Sequence, residues 1–440
     1  MRVIRACHEL GIESVVTVST ADRQSLAAKL ADRAICIGPP KSDESYLNQS
    51  AILAAALGVK ADAIHPGYGF LAENSTFVQA CEDNGIIFIG PRAESVQIMG
   101  DKLAAREVAK RFGVSVLPGS RGSTTYAQAV KIVEEIGLPV LFKAAAGGGG
   151  RGIRIVHELS ELKQAFESAT AEARAAFGNG ALFVERYVVS ARHIEVQVFG
   201  DCFGGALHLG ERDCSLQRRY QKIVEEAPSS LLPLEVRDAI LDSAVTLVKN
   251  VSYQNAGTVE FVYDRDREDF YFLEMNTRIQ VEHPVTEAIT GIDLVQLQLE
   301  IAAGKPLPFK QSDVHFSGHA IECRINAESP EHSFRPSPGR ITVWQPPKGP
   351  GIRLDTQCFE GYTVPPFYDS LLAKLVIVGN SRIEALMHMR EALLEFQVGG
   401  IDTNIDFLSF IINSKDFETG NFDTRWVESN ASRFRSTSEE

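Results

Sequence analysis

"EMNTRIQVEHPVTE", Glu274 to Glu287, packs three carboxylates, an Arg, an Asn, a Gln and a His into a segment whose first residues read as a buried strand. The preceding stretches "GTVEFVYD" and "DFYFLEMN" are joined by the charged turn "RDRE" and predict a hairpin. Val259, Phe261, Phe272 and Leu273 supply apolar positions for a covered face. Residues two apart share a face, so Glu274 and Asn276 point the same way and Glu260 on the partner strand meets them. Two carboxylates and an amide oxygen make a hard-oxygen set that suits magnesium; a solvent-facing charged edge is the plainer alternative. Beyond the strand, Arg278 offers a planar fork for a small oxyanion, Gln280 a further donor and Glu282 a carboxylate able to act as base. If the chain stays extended, the three share one side. A salt-bridge cluster is the other reading of the same spacing.

Two further stretches extend the chemistry. "KAAAGGGGRGIRIV", Lys143 to Val156, sets four glycines between two strands, with Lys143 at the entrance and Arg151 at the exit. Glycine lets backbone N–H groups converge on phosphate oxygens, although a flexible turn needs the same residues. The GK[ST] ending of a P-loop is missing. "ERDCSLQRRYQKIVEEAP" gathers Arg212, Arg218, Arg219 and Lys222 ahead of Glu225 and Glu226. Such a run is either a solvated face or, in an acidic chain, the place where phosphate charge is neutralised.

The chain of 440 residues carries a formal net charge of −13, which argues against a nucleic-acid footprint. Its 7 cysteines are scattered and never form CxxC, so neither a zinc site nor a disulfide framework is indicated and a reducing cytoplasm is expected. No apolar run reaches membrane-spanning length, and "MRVIRACHELG" lacks the features of a signal peptide.

Val3, Ile4, Cys7 and Leu10 recur at helical spacing, Gly11 caps, and "SVVTVS" follows as a strand. Two further helix-then-strand units, ending near Ile64 and Ile89, indicate a parallel sheet with helices on its faces. Such a domain normally begins with a strand, and the chain begins with a helix. The expectation is that the true start lies upstream, or that the 440-residue form is unstable and poorly active. The fold class expected is α/β and α+β multidomain. An N-terminal parallel-sheet domain spans 1–100, an α+β unit with a mobile lid at about 115–188 spans 101–310, and a β-rich domain with helical cover spans 311–440.

Taken together, "HPGYGFLAEN", "MGDK", "GGGGRG", "ERDCSLQRRYQK" and "EMNTRIQVEHPVTE", with "ECRINAE" and "GYTVPPFYDSLLAKL" further on, resemble the biotin carboxylase component of biotin-dependent carboxylases, an ATP-grasp enzyme. The match runs in order through nearly all the chain. The resemblance implies that Glu260, Glu274 and Asn276 hold magnesium (or manganese) against ATP, while Arg278, Gln280 and the backbone of Val281 grip bicarbonate. Glu282 then removes the bicarbonate proton. The dianion attacks the γ-phosphate to give carboxyphosphate, which yields CO₂ and a phosphate that deprotonates biotin N1. Arg353, in "GIRLDT", matches the residue that stabilises the biotin enolate, and Tyr68 one beside biotin. Lys102, Lys143, His193, Gln217 and Lys222, the last also placed in the catalytic set, match nucleotide and phosphate contacts, as do Gly148 and Gly149. Glu185 and Arg186, with Val188, match the strand bordering the adenine.

Tyr220 stands where the family usually has His, and Ala146 replaces the first of five glycines. No "AMKM" biotin-attachment sequence is present, so the carrier is expected on another chain. The implied partners are a biotin carboxyl carrier protein, carboxyltransferase subunits and a second copy in a homodimer, in cytoplasmic acetyl-CoA carboxylase of fatty acid synthesis. A carboxylate–amine ligase of the same superfold, and an inactive truncated paralogue, are the alternatives.

Overall fold

The opening helix, Arg2–Glu9, buries Ile4, Ala6 and Cys7, and Gly11 turns behind it at φ 70°. Ala6 and Cys7 join a core with Leu294, Val295 and Leu297 of the helix Leu294–Ala302 and with Phe199, Leu207 and Ala256 from strands of the large sheet described below. The computed structural model describes residues 1–145 and 153–434. Two parallel strand pairs follow the first helix, β1 (Val15–Ser19) with β2 (Arg33–Gly38), and β3 (Ala63–Ile64) with β4 (Ile87–Phe88). The alternation predicts one parallel sheet; among the described residues these are two separate pairs. β3 and β4 are too short for a long ladder, and Val16, Thr17 and Val18 of β1 line a cavity together with Pro66 and Gly67. The helices Gln49–Val59 and Ser75–Asp83 each start on an asparagine, Asn48 and Asn74, whose side chain accepts a backbone N–H of the first turn.

A small antiparallel sheet, β5 (Val140–Ala144), β6 (Arg154–Val156) and β7 (Leu182–Arg186) in the order β6-β5-β7, is backed by the helices Tyr126–Ile136 and Leu162–Phe177. Phe142, Val133, Ala169 and Ala173 form its own core. The glycine run between β5 and β6, with Ala146, Gly148, Gly149 and Arg151, lies outside the described residues.

The centre is one eight-stranded antiparallel sheet built from β8 (Ala191–Gly200), β9 (Ala206–Arg218), β10 (Gln221–Ala227), β11 (Asn255–Asp264), β12 (Asp269–Asn276), β13 (His319–Asn326) and the strands Leu371–Gly379 and Ile352–Thr356. Its order is β12-β11-β8-β9-β10-β13, then Leu371–Gly379, then Ile352–Thr356. The strands beyond residue 311 therefore continue the sheet that carries the Glu260 hairpin. Period-two alternation divides the sheet's faces. Ile194, Val196, Val259, Phe261 and Phe272 lie under the helices Lys102–Arg111 and Leu234–Asn250. At the far end, Ile321, Cys323, Ile325 and Leu375 lie under Arg382–Glu395 and Ile405–Ile412. The opposite face holds buried Glu195, Gln197, Arg212, Glu225, Glu260 and Glu322. Part of that face is covered by the helix His283–Thr290 through Val285 and Ile289. Among the described residues no helix is long and apolar enough to cross a membrane.

Candidate active site

The hairpin forms as its sequence predicts, with Glu260 opposite Glu274 and Thr258 opposite Asn276. After Asn276 the chain leaves the extended conformation. Pro284 sits in the first turn of the helix His283–Thr290, where its missing N–H costs nothing, and Glu282 becomes the residue before that helix. Arg278, Gln280 and Glu282 therefore do not share one side. Arg278 reaches the N-terminal segment, donating from Nε to Glu73 Oε2 at 2.9 Å and from Nη2 to Asn276 Oδ1 at 3.2 Å. Gln280 is buried with Nε2 lacking a partner, a donor still available. Glu282 turns inward and is wholly buried.

Lys222, at the start of β10, joins the two halves of the site. Its Nζ donates to Glu195 Oε2 at 2.5 Å, Glu282 Oε1 at 2.7 Å and Glu260 Oε1 at 2.9 Å. Glu282 Oε2 accepts from Arg324 Nη2 at 2.9 Å. Burial alone would push the Glu282 carboxyl up, but Lys222, Arg324 and Arg212 outweigh it and hold it well below the usual carboxylate range. Burial opposes the Lys222 charge, and Glu195, Glu260 and Glu282 reverse that effect to raise the amine well above its ordinary value. Arg212, expected to belong to a basic run, is instead fully buried, donating to Glu195 Oε1 at 2.5 Å, Gln197 Oε1 at 2.8 Å and Thr286 Oγ1 at 2.9 Å. The run is split because Arg212 lies inside strand β9, where every residue from Leu209 to Gln217 is buried, while Arg218 is the strand's last residue and Arg219 stands in the turn beyond it.

A cavity of about 1200 Å³ brings most of the predicted residues together. Lys102, Lys143, His193 and Gln217 line it, as do Glu185, Arg186 and Val188 along and after β7. Lys143 Nζ lies 2.7 Å from Glu185 Oε2, and Lys102 Nζ lies 3.1 Å from Glu274 Oε2. Gln217 Nε2 is 3.0 Å from His193 Nδ1, whose Nε2 faces Glu260 Oε2 at 3.2 Å. Burial would lower the His193 pKa, and Glu260 outweighs it to leave the ring raised. Tyr220, half of a two-residue hairpin turn with Arg219 at φ 65° and 48°, is exposed on the cavity wall. Arg278, Gln280, Val281 and Tyr68 line the cavity as well, while Glu282 stands behind the wall.

The residues fit a hard divalent cation. Glu260 and Glu274 face each other across adjacent strands, Asn276 Nδ2 donates to Glu260 Oε1 at 2.8 Å, and all three line the cavity. Ligand atoms of His193, Glu195 and Glu260 also lie within 4.8 Å of one another, a grouping that sequence spacing alone does not reveal.

Arg353 is placed elsewhere. It donates to Glu287 Oε2 at 2.7 Å and Asp355 Oδ2 at 2.8 Å and does not line the cavity. Arg324 does line it, between Glu282 and Glu225. The signal for Arg324 lies in "ECRINAE", where Glu322 and Arg324 alternate with Cys323 and Ile325 and so share a strand face. Glu73 escapes a reading of the sequence because its partner Arg278 is 205 residues away.

Three family models match consecutive stretches: "Biotin carboxylase, N-terminal domain" at 1–96, "Carbamoyl-phosphate synthase L chain, ATP binding domain" at 101–310 and "Biotin carboxylase C-terminal domain" at 322–429. The chain is 49% identical to biotin carboxylase 1 of Bacillus subtilis, over 97% of this chain and 95% of that one. It is 47% identical to a pyruvate carboxylase component of Methanothermobacter thermautotrophicus, over 97% and 87%. The biotin carboxylase domain dimer of Hydrogenobacter thermophilus 2-oxoglutarate carboxylase, solved with MgADP, ADP and bicarbonate, matches with a TM-score of 0.94 at 48% identity, covering 99% of this chain and 96% of that one. Sequence, fold and the carboxylate-lined cavity thus agree, and the chain belongs to the biotin carboxylase family of ATP-dependent enzymes.

Proposed function

We propose that this chain carboxylates biotin carried by a separate protein, using ATP and bicarbonate, and that the observation carrying this reading is the Lys222 ammonium shared by Glu260 and Glu282. It links the carboxylates suited to a metal with the carboxylate suited to a base. Glu260, Glu274 and Asn276 would hold Mg²⁺ (or Mn²⁺), which supplies charge neutralisation at the phosphate oxygens of ATP. Lys102, Lys143, His193 and Gln217 stand along the phosphate chain, Glu185, Arg186 and Val188 border the base, and Tyr220 completes that wall. The segments 1–100, 101–310 with its lid at about 115–188, and 311–440 act as three functional units around this one cavity.

Bicarbonate sits between Arg278, the unpartnered Gln280 amide and the backbone of Val281. Glu282 takes its proton. As the structure stands the acid is clamped by two cations and is a weak base; an arriving phosphate chain competes for Lys222 and so raises the basicity of Glu282. The dianion attacks the γ-phosphate and displaces ADP, carboxyphosphate breaks down to CO₂ and phosphate, the phosphate removes the biotin N1 proton, and the biotin anion adds to the CO₂. Tyr68 borders the biotin. The cation that faces the biotin enolate is Arg324 rather than Arg353, because Arg324 lines the cavity beside Glu282 while Arg353 does not line it and is engaged by Glu287 and Asp355.

Coupled assay of ADP release with free biotin, bicarbonate and ATP tests the reading; ATP cleavage indifferent to bicarbonate would reject it. In the same assay Arg324→Met should lower biotin-dependent turnover about 10²-fold or more, and Arg353→Met far less, as expected for loss of a preorganised cation. Equal losses would return Arg353 to the site. We further assign the chain to acetyl-CoA carboxylase in fatty acid synthesis, in the cytoplasm, as a homodimer working with a biotin carboxyl carrier protein and carboxyltransferase subunits. Because the relatives include a pyruvate carboxylase component and a 2-oxoglutarate carboxylase domain, the test is which carboxyltransferase co-purifies with the native chain.

A further inference from the structure

Beneath the Glu282 loop, β10, β13 and the strand Leu371–Gly379 set two like pairs side by side. Glu225 stands opposite Glu322, and Arg324 stands opposite Lys374. Both carboxylates are wholly buried. The cations are already engaged. Arg324 donates from Nε to Glu225 Oε1 at 2.6 Å and from Nη2 to Glu282 Oε2 at 2.9 Å. Lys374 donates to Val281 O at 2.8 Å and lies 3.7 Å from Asp355 Oδ2. Glu225 Oε2 and both oxygens of Glu322 are left buried with no donor.

Three buried acceptors cannot stay unsatisfied at low cost, and two facing carboxylates cannot both ionise cheaply. One proton resolves both problems. On Glu322 it turns an acceptor into a donor aimed at Glu225, and Glu225 remains the anion that holds Arg324. We propose that Glu322 is a positioning residue held as the neutral acid, which keeps Arg324 committed to Glu225 and Glu282; its ionisation adds a rival anion beside Arg324 and loosens the Glu282 contact. Glu322 touches no reacting atom and acts through Arg324, so the inference rests on the reading of Glu282 and Arg324 as site residues.

The charged and titratable groups around the pair are Cys214 on β9, Lys222 on β10, Cys323 and Arg324 on β13, Lys374 on the next strand, Glu282 from the loop above and Tyr68 from the N-terminal segment. Burial pushes the Glu322 carboxyl well above its usual range, with Lys374 offsetting only part, and burial pushes Glu225 up to about 7 against the opposing pull of Arg324. The sign follows from the raised affinity. The protonated, well-positioned form holds at low and neutral pH and is lost as pH rises through the folded-state value.

The test uses the full chain and two variants. Infrared difference spectra should contain a protonated-carboxyl C=O band at neutral pH that disappears on alkalinisation and is missing in Glu322→Gln. In bicarbonate-dependent ATP cleavage, Glu322→Gln keeps a donor but cannot ionise, so its rate relative to wild type should rise about tenfold per pH unit above the alkaline limb of the wild-type profile. Glu322→Met lacks the donor and should raise the bicarbonate KM several-fold, with the ATP KM unchanged. A rate ratio independent of pH overturns the positioning role. Absence of the band from wild type overturns the protonated state, whatever becomes of Glu282; a bicarbonate-independent enzyme that still has the band would leave the proton in place and remove the catalytic reading instead.

Discussion

Glu282→Gln is expected to lower bicarbonate-dependent turnover by about 10²–10⁴, the range for loss of a general base, while nucleotide binding is largely kept. The substitution keeps the shape and removes the charge. Because Glu282 stands behind the cavity wall, with its carboxylate bonded to the lining residues Lys222 and Arg324, its change to an isosteric amide should leave the nucleotide-lining residues in place. Calorimetric titration of the nucleotide beside steady-state turnover separates the two effects. Turnover at the wild-type rate would sink the assignment of Glu282, and loss of nucleotide binding in parallel would recast it as a structural anion.

Lys222→Met should be the most destabilising single change in the site. It leaves Glu195, Glu260 and Glu282, all buried, without the ammonium they share, and breaking such a pair by removing one partner costs about 3–5 kcal/mol. Activity should fall with it, since the same nitrogen lies between the metal-type carboxylates and the base. Denaturant unfolding measures the first effect. The double variant Lys222→Met with Glu282→Gln should lose less stability than the sum of the two single changes, because the second removes one of the stranded charges. Strict additivity would mean that the contact contributes nothing.

The Glu260 and Glu274 hairpin is legible in the sequence because it rests on period two alone. Val259 and Phe261 mark the buried face, and everything between them follows. Arg278 and Gln280 are legible as residue types, but their direction is not: Pro284 starts a helix immediately after the strand, and a helix start rotates side chains off the strand's two faces. Arg212 passes for part of a surface run because strand β9 is thirteen residues long and its burial depends on neighbours from β8 and the helix above. The split of the N-terminal strands into two pairs is likewise hidden, since pairing is a tertiary fact. Arg353 stands out by resemblance alone, and only the positions of Glu287 and Asp355 reveal what engages it.

The continuity of the central sheet makes the chain one mechanical unit. β10 bonds on one side to β9 and on the other to β13, so the strands that follow residue 311 complete the ladder of those that precede it. Severing the chain after the helix Leu294–Ala302 would turn Val224, Glu225 and Glu226 into an open edge, the kind of surface through which sheets of different molecules join. It would also take Arg324 away from Glu282. Neither half is therefore a usable module: Glu225 and Glu282 precede the cut while Arg324, which donates to both, follows it, and recombination inside this sheet should yield insoluble protein rather than a simpler enzyme.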